Sequence, residues 1–200
     1  MRLNRILVTC AALLSCAAVG CSKSSPSRPG AQTLSFGGTT WEVLDGTWSV
    51  NGDTLVGSGG SIWTLKDYSD GAIDLDVETP AQGGDRTVGV GFHITATGGD
   101  PQKSNGYGFN FTAAQTFNVF KGTANSWQPM NPAQTSFQKG DGLQPDKNQI
   151  HVEMNGGHYR VSANGRQMAD FQDASYGTGR YKLFVESSAW QAKFSQLRIR

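Results

Sequence analysis

Apolar and polar residues alternate along most of the chain beyond residue 36. Ile73, Leu75 and Val77 alternate with acidic residues, as expected for a strand with one face in a core and the other in water. The same period of two recurs at residues 88–94, 107–111, 150–154, 181–185 and 194–199. No window shows apolar residues at the spacing of a helix. The pattern therefore predicts an all-β domain.

Three Asn-Gly pairs separate strand-like runs, at Asn51-Gly52, Asn155-Gly156 and Asn164-Gly165. Both residues tolerate the positive φ angles of a type I′ turn, so each pair predicts a tight β-hairpin. Many short strands joined in this way, without intervening helices, are typical of a two-sheet antiparallel sandwich or a barrel.

The first 20 residues have the composition of an export signal. Arg2 and Arg5 precede an apolar run from residue 6 to residue 19, and Cys21 follows shortly after. This order is typical of a secretory signal that is removed from the mature chain. The run is shorter than the ~20 apolar residues that a membrane-spanning helix needs.

The segment Ala18-Val19-Gly20-Cys21 resembles the lipobox of bacterial lipoproteins, in which a lipid-modified cysteine becomes the first mature residue. The resemblance implies that Cys21 carries acyl chains such as palmitate and anchors the protein in the bacterial cell envelope. Ser22 after the cysteine favours the outer membrane by analogy with other lipoproteins. Two alternatives stay open: cleavage at Cys16, which follows Leu13-Leu14-Ser15, and a cleaved signal without lipid.

These features divide the chain into a signal peptide at 1–20, a lipidated flexible tether at 21–35 and one globular domain at 36–200. All cysteines lie at or before residue 21, so the domain has no disulfide framework. The chain carries 17 basic and 16 acidic residues. This balance supplies no basic surface for nucleic acid, and a nucleic-acid partner is not expected.

Several segments of the predicted domain resemble the concanavalin A-like lectin and glucanase jelly rolls. They are Trp41, residues 45–55, Tyr107-Gly108-Phe109, and residues 148–152, 161–165 and 179–185. The likeness is to the branch that includes laminin-G-like domains and 3-keto-disaccharide hydrolase-type domains. It implies a two-sheet antiparallel jelly-roll β-sandwich, whose relatives bind or hydrolyse carbohydrate on a concave sheet. These motifs specify the scaffold, and a fold alone does not define an activity.

Asp74, Asp76 and Glu78 place three carboxylates on one face of a predicted strand. Glycosidases use two carboxyl groups, and a separation near ~5.5 Å suits a retaining mechanism. The segment resembles the Glu-Ile-Asp-Ile-Glu signature of one glucanase family, which implies Asp74 as nucleophile, Asp76 as its assistant and Glu78 as acid/base. However, the first position is Asp rather than Glu, and the strand comes early in the chain. The alternative is an acidic face in solvent.

The tryptophans divide into two groups. Trp41, Trp48 and Trp63 lie in strand-like apolar segments and are predicted to fill the core. Trp127 lies in a segment with two prolines and no strand pattern, where an exposed ring would stack on a sugar or anchor a protein interface. The alternative is a loop folded back over the sandwich edge, with Trp127 as its plug. Trp190 is a second candidate of the same kind.

Other polar residues on predicted strands are candidates for contacts with a glycan. They are His93, Asn110, His151 and Arg160, together with the three carboxylates of the acidic strand. Which of them share a face stays open, because a shift of one residue in strand register moves a side chain to the opposite face.

Metal-binding patterns are sparse in the sequence. Asp141 and Asp146, around Gly140 and Gly142, are the nearest approach to a calcium loop, but such residues also form ordinary turns. The histidines show no pair at the close spacing of a zinc site. No cofactor is expected, with calcium as the one alternative.

Three functions are compatible with the sequence. The leading hypothesis is a lipid-anchored cell-envelope protein that binds a glycan or an envelope protein at the membrane surface. The first alternative is a glycoside hydrolase that uses the acidic strand, and the second is a structural accessory lipoprotein without a ligand. The sequence has no Gly-x-Ser-x-Gly nucleophile motif, which favours binding over that kind of catalysis.

Overall fold

The computed structural model describes residues 28, 30–80, 84–124, 126–130 and 137–200, with the backbone alone at 101–102. The predicted signal peptide and its candidate lipidation sites, Cys16 and Cys21, lie outside the described residues. Every regular element within those ranges is a β-strand. No helix in the described part of the chain has the length and apolarity needed to span a bilayer.

The described residues form sixteen strands. In chain order they are β1 (Thr33–Phe36), β2 (Thr39–Val43), β3 (Thr47–Asn51), β4 (Thr54–Ser58), β5 (Gly60–Thr64), β6 (Gly71–Glu78), β7 (Thr87–Thr97), β8 (Asp100–Thr112), β9 (Thr116–Thr123), β10 (Ser126–Pro129), β11 (Gln138–Lys139), β12 (Lys147–Asn155), β13 (His158–Ala163), β14 (Arg166–Gln172), β15 (Arg180–Val185) and β16 (Ala192–Ile199).

These strands assemble into two antiparallel sheets. One has nine strands in the order β1-β2-β5-β15-β7-β8-β9-β10, with β11 also beside β9. The other has seven, in the order β14-β13-β12-β6-β16-β4-β3. Neighbours such as β5 and β15 are distant in sequence, as in a jelly roll, where two sheets enclose one core. The predicted all-β jelly-roll sandwich is confirmed.

The domain begins before its predicted boundary. Residues 33–35, assigned to the tether from their composition, belong to β1, which pairs with β2. Before β1, Arg28 forms an ion pair with the carboxylate of Glu42, which is 1% exposed. A buried carboxylate needs a partner of opposite charge, so this contact holds the start of the domain against the sheet.

The core contains two of the three tryptophans predicted for it. Trp41 and Trp48 are buried among the inward-facing residues of both sheets. Trp63 is also buried, but it lies on the outer face of β5, where the Arg180 guanidinium is 4.2 Å from its ring centroid. The predicted burial of Trp63 is confirmed, at 4% exposed, but the alternation of faces along β5 turns Ile62 and not Trp63 into the central cluster between the sheets.

His93 lies in the interior and not on a polar strand face. It is 2% exposed, and its backbone has a φ of 51°. The register between β7 and β8 shifts here, between Phe92 and Thr95. This bulge interrupts the alternation of faces and turns the imidazole inward, where Nδ1 lies 3.0 Å from the Tyr159 hydroxyl and 2.8 Å from the Tyr176 carbonyl oxygen. His93 is therefore not available to a ligand on the sheet surface.

One ion pair lies at the end of the sandwich, beside Tyr107. Lys121 Nζ is 2.6 Å from Asp173 Oδ2, and the Ser175 backbone N–H donates to Asp173 Oδ1 at 2.8 Å. Burial acts to raise the pKa of Asp173, but these hydrogen bonds outweigh burial and lower the pKa to about 2. The Tyr107 hydroxyl donates to the Asp173 carbonyl at 3.1 Å, so the ion pair fixes the segment that closes this end.

We expect Asp173 to stabilise the domain in a pH-dependent way. A carboxylate whose pKa is lowered by folding stabilises the fold above its unfolded pKa, and this contribution disappears as the pH falls through the folded pKa. The contribution of Asp173, roughly 2 kcal/mol, should therefore be lost between about pH 4 and pH 2. Urea denaturation at a series of pH values measures it, with Asp173→Asn as the comparison. Parallel profiles for the two proteins in this range would contradict the assignment.

Candidate functional site

A groove runs along the outer face of the nine-stranded sheet, and glycines form its floor. Gly89 and Gly91 on β7 and Gly108 on β8 face outwards, because the residues that alternate with them fill the core. In the sheet register Gly91 lies opposite Gly108, and Gly89 lies opposite Asn110. Three adjacent positions thus lack side chains, and neighbouring side chains, Phe184 at Gly89 and Ile94 at Gly91, pack close over two of them. We call this feature the glycine groove.

Side chains of the flanking strands form the walls of the glycine groove. On β15, Lys182 and Phe184 lie opposite the two glycines of β7. On the other side, Phe120 of β9 lies opposite Gly108. Because β15 and β9 are three strand spacings apart, the walls stand about 14 Å from each other. The groove has a volume of ≈ 400 Å³, which is within the range of small-molecule sites.

Trp127 covers part of the floor. Strand β10 folds back along β9, so that Trp127 pairs with Gly122. A Cβ atom at Gly122 would lie 2.7 Å from the indole ring, and one at Gly108 would lie 3.4 Å from it. The ring therefore rests on two glycines, with 40% of the residue exposed. The predicted exposure of Trp127 is confirmed, although its segment is a strand and not the predicted loop.

Two polar groups at the groove have no hydrogen-bond partner among the described residues. Lys182 is half-buried, and its amine makes no hydrogen bond or ion pair with the residues that the structure describes. Burial lowers the pKa of Lys182, against the attraction of Asp45, which acts to raise it. Asn110 Oδ1 is buried without a hydrogen-bond donor. An unsatisfied buried acceptor costs roughly 1–3 kcal/mol, and this oxygen lies beneath the surface of the groove, where a ligand does not reach it.

Two carboxylates line one end of the groove and are already engaged. Asp45 Oδ1 accepts hydrogen bonds from the backbone N–H and the hydroxyl of Ser61, at 2.6 and 2.8 Å. Glu186 Oε2 accepts one from the Thr87 backbone N–H at 3.0 Å. Ser61 is on β5 and Glu186 directly follows β15, its neighbour, so both carboxylates lie on the same side of the floor. Their hydrogen bonds hold strand ends together.

The glycine groove thus combines two kinds of contact. Trp127 presents an exposed aromatic face, with Phe120 and Phe184 beside the floor. Lys182 supplies hydrogen-bond donors. An aromatic platform with a few convergent polar groups suits a ligand that has an apolar face and a polar rim.

The acidic strand lies on the opposite side of the sandwich. Asp74, Asp76 and Glu78 belong to β6 and point outwards from the seven-stranded sheet, since the residues between them fill the core. His151 Nδ1 lies 2.6 Å from Asp74, and Lys147 Nζ lies 3.1 Å from Asp76. The hollow beside them has no aromatic residue in its described lining. This arrangement is a solvated, ion-paired sheet face, which is the alternative that the sequence left open.

Replacing Glu78 with alanine is expected to change the free energy of unfolding by less than about 1 kcal/mol. Its ion pairs with Lys147 and Lys193, at 3.5 and 3.9 Å, lie on an exposed surface where solvent screens them. Urea denaturation measures the change. The same variant should bind ligands of the glycine groove as tightly as the unchanged protein. A loss of that binding would mean that the acidic strand takes part in ligand binding.

The other candidates are divided between the groove, the far sheet and the core. Asn110 lies in the glycine groove. His151 and Arg160 are on the outer face of the seven-stranded sheet, and Arg160 pairs there with Asp170 at 3.3 Å. Trp190 is 7% exposed and packs in the core, so its predicted exposure is wrong. The physical reason is that the chain turns inward there to begin β16.

The candidate calcium residues do not form a cluster. Asp141 and Asp146 are exposed, and Asp146 Oδ1 accepts a hydrogen bond from the backbone N–H of Lys147 at 2.9 Å. Within the described ranges, no group of three or more histidine, cysteine or acidic side chains is arranged to hold a metal ion.

The sequence analysis predicted neither the glycine floor nor the two walls of the groove. It did not single out Lys182, Phe184 or Phe120 as ligand contacts. A signal was present in the alternation itself, because Gly89 and Gly91 occupy the outward positions of one predicted strand and Gly108 an outward position of the next. Outward glycines on adjacent strands indicate a place where another molecule approaches the backbone closely.

Comparisons with solved structures define the class of fold. The carbohydrate-binding module CBM66 from Bacillus subtilis matches with a TM-score of 0.63 and 18% identity, covering 81% of this chain and 94% of that one. A putative glycosyl hydrolase from Parabacteroides distasonis matches with a TM-score of 0.55 and 16% identity, covering 80% and 87%. A β-1,3-1,4-glucanase from a mouse hindgut metagenome matches with a TM-score of 0.56 and 10% identity, covering 80% and 92%. The domain has the fold of these structures, a two-sheet jelly-roll sandwich.

The family follows from the sequence itself. A model of the 3-keto-alpha-glucoside-1,2-lyase-like domain matches residues 30–200, and the chain belongs to that family. A search of curated proteins finds no match. The matched residues include both sheets and the glycine groove.

Proposed function

We propose that this protein is a carbohydrate-binding module whose binding site is the glycine groove. The observation that carries the proposal is the position of Trp127, an exposed indole that rests on a floor of glycines. A sugar ring that lies on this indole places its C–H face on the aromatic surface and its hydroxyl groups towards Lys182. The site thus offers stacking and one set of donors to a single ligand.

The comparisons support a sugar as the ligand class. Two of the similar structures are described as a carbohydrate-binding module and a glucanase, and the family takes its description from a glucoside. These likenesses concern the fold, and the same fold holds both binding and hydrolytic proteins. The residues in the groove must therefore decide between the two functions.

The carboxylates in the groove favour binding over glycoside hydrolysis. A glycosidase places two carboxyl groups across the scissile bond. In the glycine groove, Asp45 and Glu186 lie on the same side of the floor, and each accepts a hydrogen bond from a backbone N–H. Neither stands on the far wall beside Trp127. We therefore infer that sugar is held in the groove and that the carboxylates maintain its shape.

Affinity gel electrophoresis tests the proposed function. The domain should migrate more slowly through gels that contain a neutral polysaccharide that it binds, with mixed-linkage β-1,3-1,4-glucan, xylan, fructan and α-glucan as the panel. Retardation by at least one of them, reversed by its soluble oligosaccharide, supports the proposal. Unchanged mobility in every gel would contradict it.

We further propose that the binding module is anchored to a membrane of the bacterial cell envelope through a lipid on Cys21. The proposal rests on the lipobox-like segment and on the polar residues that separate Cys21 from β1. Such a tether raises the effective concentration of the domain at the surface, which suits a protein that captures a ligand there.

Expression in a bacterial host tests the anchor. Replacing Cys21 with serine is expected to move the protein from the detergent phase to the aqueous phase in a Triton X-114 partition, because the acyl chains are lost. Cys16→Ser is the matched control and should stay in the detergent phase. If Cys16→Ser is the variant that changes phase, the rival cleavage site is the correct one.

A further inference from the structure

The segment 173–179, which joins β14 to β15, reaches the strand on which Trp127 rests. The Tyr176 hydroxyl donates a hydrogen bond to the Gly122 carbonyl oxygen at 2.7 Å. Gly122 lies opposite Trp127 in the register of β9 and β10, and a Cβ atom there would lie 2.7 Å from the indole ring. The Tyr176 hydroxyl therefore holds the backbone of a residue that directly supports the indole.

Strand β10, which carries Trp127, has little other support. It consists of four residues at the edge of the nine-stranded sheet, and β9 is its one paired neighbour among the described strands. An edge strand is held from one side only, so its position follows that of the strand beside it. Gly122 has no side chain that could anchor it, which leaves its backbone as the part that a neighbour can hold. The orientation of the indole thus depends on how firmly β9 is fixed.

Tyr176 is itself held in place by neighbours on several strands. Its carbonyl oxygen accepts a hydrogen bond from the Tyr159 hydroxyl at 2.7 Å, and its ring centroid lies 5.2 Å from that of Tyr107. Lys121 Nζ lies 5.7 Å from the Tyr176 ring centroid, within the range of a cation–π contact. Because Lys121 also pairs with Asp173, the segment 173–179 holds two consecutive residues of β9.

We propose that Tyr176 is a positioning residue for ligand binding in the glycine groove. Its hydroxyl fixes the Gly122 backbone, Gly122 supports the indole of Trp127, and the indole presents its face to the sugar. Tyr176 does not line the groove, so it acts on the ligand through Trp127 alone. A side chain that binds a ligand keeps its geometry only when the residues behind it are fixed. This inference rests on the proposed function of the groove.

Replacing Tyr176 with phenylalanine tests the proposal, because this change removes the hydroxyl and keeps the ring. We expect the dissociation constant to rise about fivefold, which corresponds to the loss of one hydrogen bond of ordinary net strength. Tyr68→Phe is the matched control. The Tyr68 hydroxyl lies 3.4 Å from Thr39 Oγ1, and Tyr68 is outside the groove. Isothermal titration with the oligosaccharide of a retarding polysaccharide measures both variants, and Tyr68→Phe should bind like the unchanged protein.

A double-mutant cycle shows whether Tyr176 acts through Trp127. In a protein that already carries Trp127→Ala, Tyr176→Phe should leave the dissociation constant unchanged, because the platform that it positions is absent. Denaturation curves should show the same loss of stability from Tyr176→Phe in both backgrounds. An equal rise in the dissociation constant in both backgrounds would overturn the inference, since a general structural role produces that result.

The indole N–H resonance of Trp127 reports its position without a ligand. Tyr176→Phe should shift and broaden this resonance, whereas Tyr68→Phe should leave it in place. If polysaccharides retard the unchanged protein but Tyr176→Phe keeps full affinity and an unaltered Trp127 resonance, the inference fails and the proposed function stands. If no polysaccharide retards the unchanged protein, the proposed function fails and the inference fails with it.

Discussion

Replacing Trp127 with alanine is expected to weaken glycan binding by about 2 kcal/mol, roughly thirtyfold in the dissociation constant. The indole is the large aromatic surface that the groove leaves open, with 40% of the residue exposed. Its removal takes away the stacking platform but leaves the two glycines beneath it in place. Since little of the ring is in the core, the free energy of unfolding should change by less than about 1 kcal/mol.

Isothermal titration with the oligosaccharide of a retarding polysaccharide measures this loss. Val50→Ala is the matched control, because Val50 is the other exposed large hydrophobic residue of the described chain, at 37%, and lies outside the groove. If Trp127→Ala keeps the affinity of the unchanged protein, and its denaturation curve shows an intact fold, then Trp127 does not contribute to ligand binding.

Filling the floor is expected to have an even larger effect on binding. Valine at Gly108 places methyl groups against the indole of Trp127, which rests on this glycine, so the stacking surface is displaced, and an overfilled contact costs about 1–3 kcal/mol. We therefore expect Gly108→Val to reduce affinity by about a hundredfold at the upper end of that range. A Cβ alone at Gly108 would be 3.4 Å from both Asn110 Oδ1 and the indole of Trp127, so the two methyl groups of valine are expected to push the partly exposed indole outwards.

A milder variant separates function from folding at the same position. Glycine inside a strand is less stable than alanine by roughly 0.5–1 kcal/mol, and Gly108 does not need a positive φ. Gly108→Ala should therefore raise the free energy of unfolding while lowering affinity. Gly177→Ala is the control, because a Cβ there meets open space. Lower stability together with unchanged binding in Gly108→Ala would mean that the glycine serves packing alone.

The strands and the sheet class could be predicted from the sequence because they depend on local alternation. The strand that contains Ile73, Leu75 and Val77 has one buried face, and the alternation predicts this face without knowledge of the neighbouring strands. His93 shows the limit of this reasoning, since one bulge reverses the face of a side chain and the alternation carries no sign of it. Trp190 shows a second limit, because the sequence alone does not distinguish a loop residue that packs against the core from one that is exposed.

The site depends on pairings between segments that are distant in sequence. Lys182 comes beside Gly91 because β15 inserts between β5 and β7, which are separated from it by most of the domain. Periodicity within one strand cannot report such a neighbour. Trp127 was recognisable because a large ring in a Pro-containing segment stands out locally. The function of the acidic strand could not be decided from the sequence, because a solvated face and a catalytic face show the same alternation of apolar and acidic residues.

Chemical-shift mapping with a glycan that retards the domain tests most directly whether the sugar lies in the glycine groove. Backbone amide resonances are recorded while the oligosaccharide is added. We expect the largest shifts at Gly89, Gly91 and Gly108 and at the indole N–H of Trp127. Shifts concentrated instead at Asp74 and its neighbours on the seven-stranded sheet would contradict the assignment of the groove as the binding site.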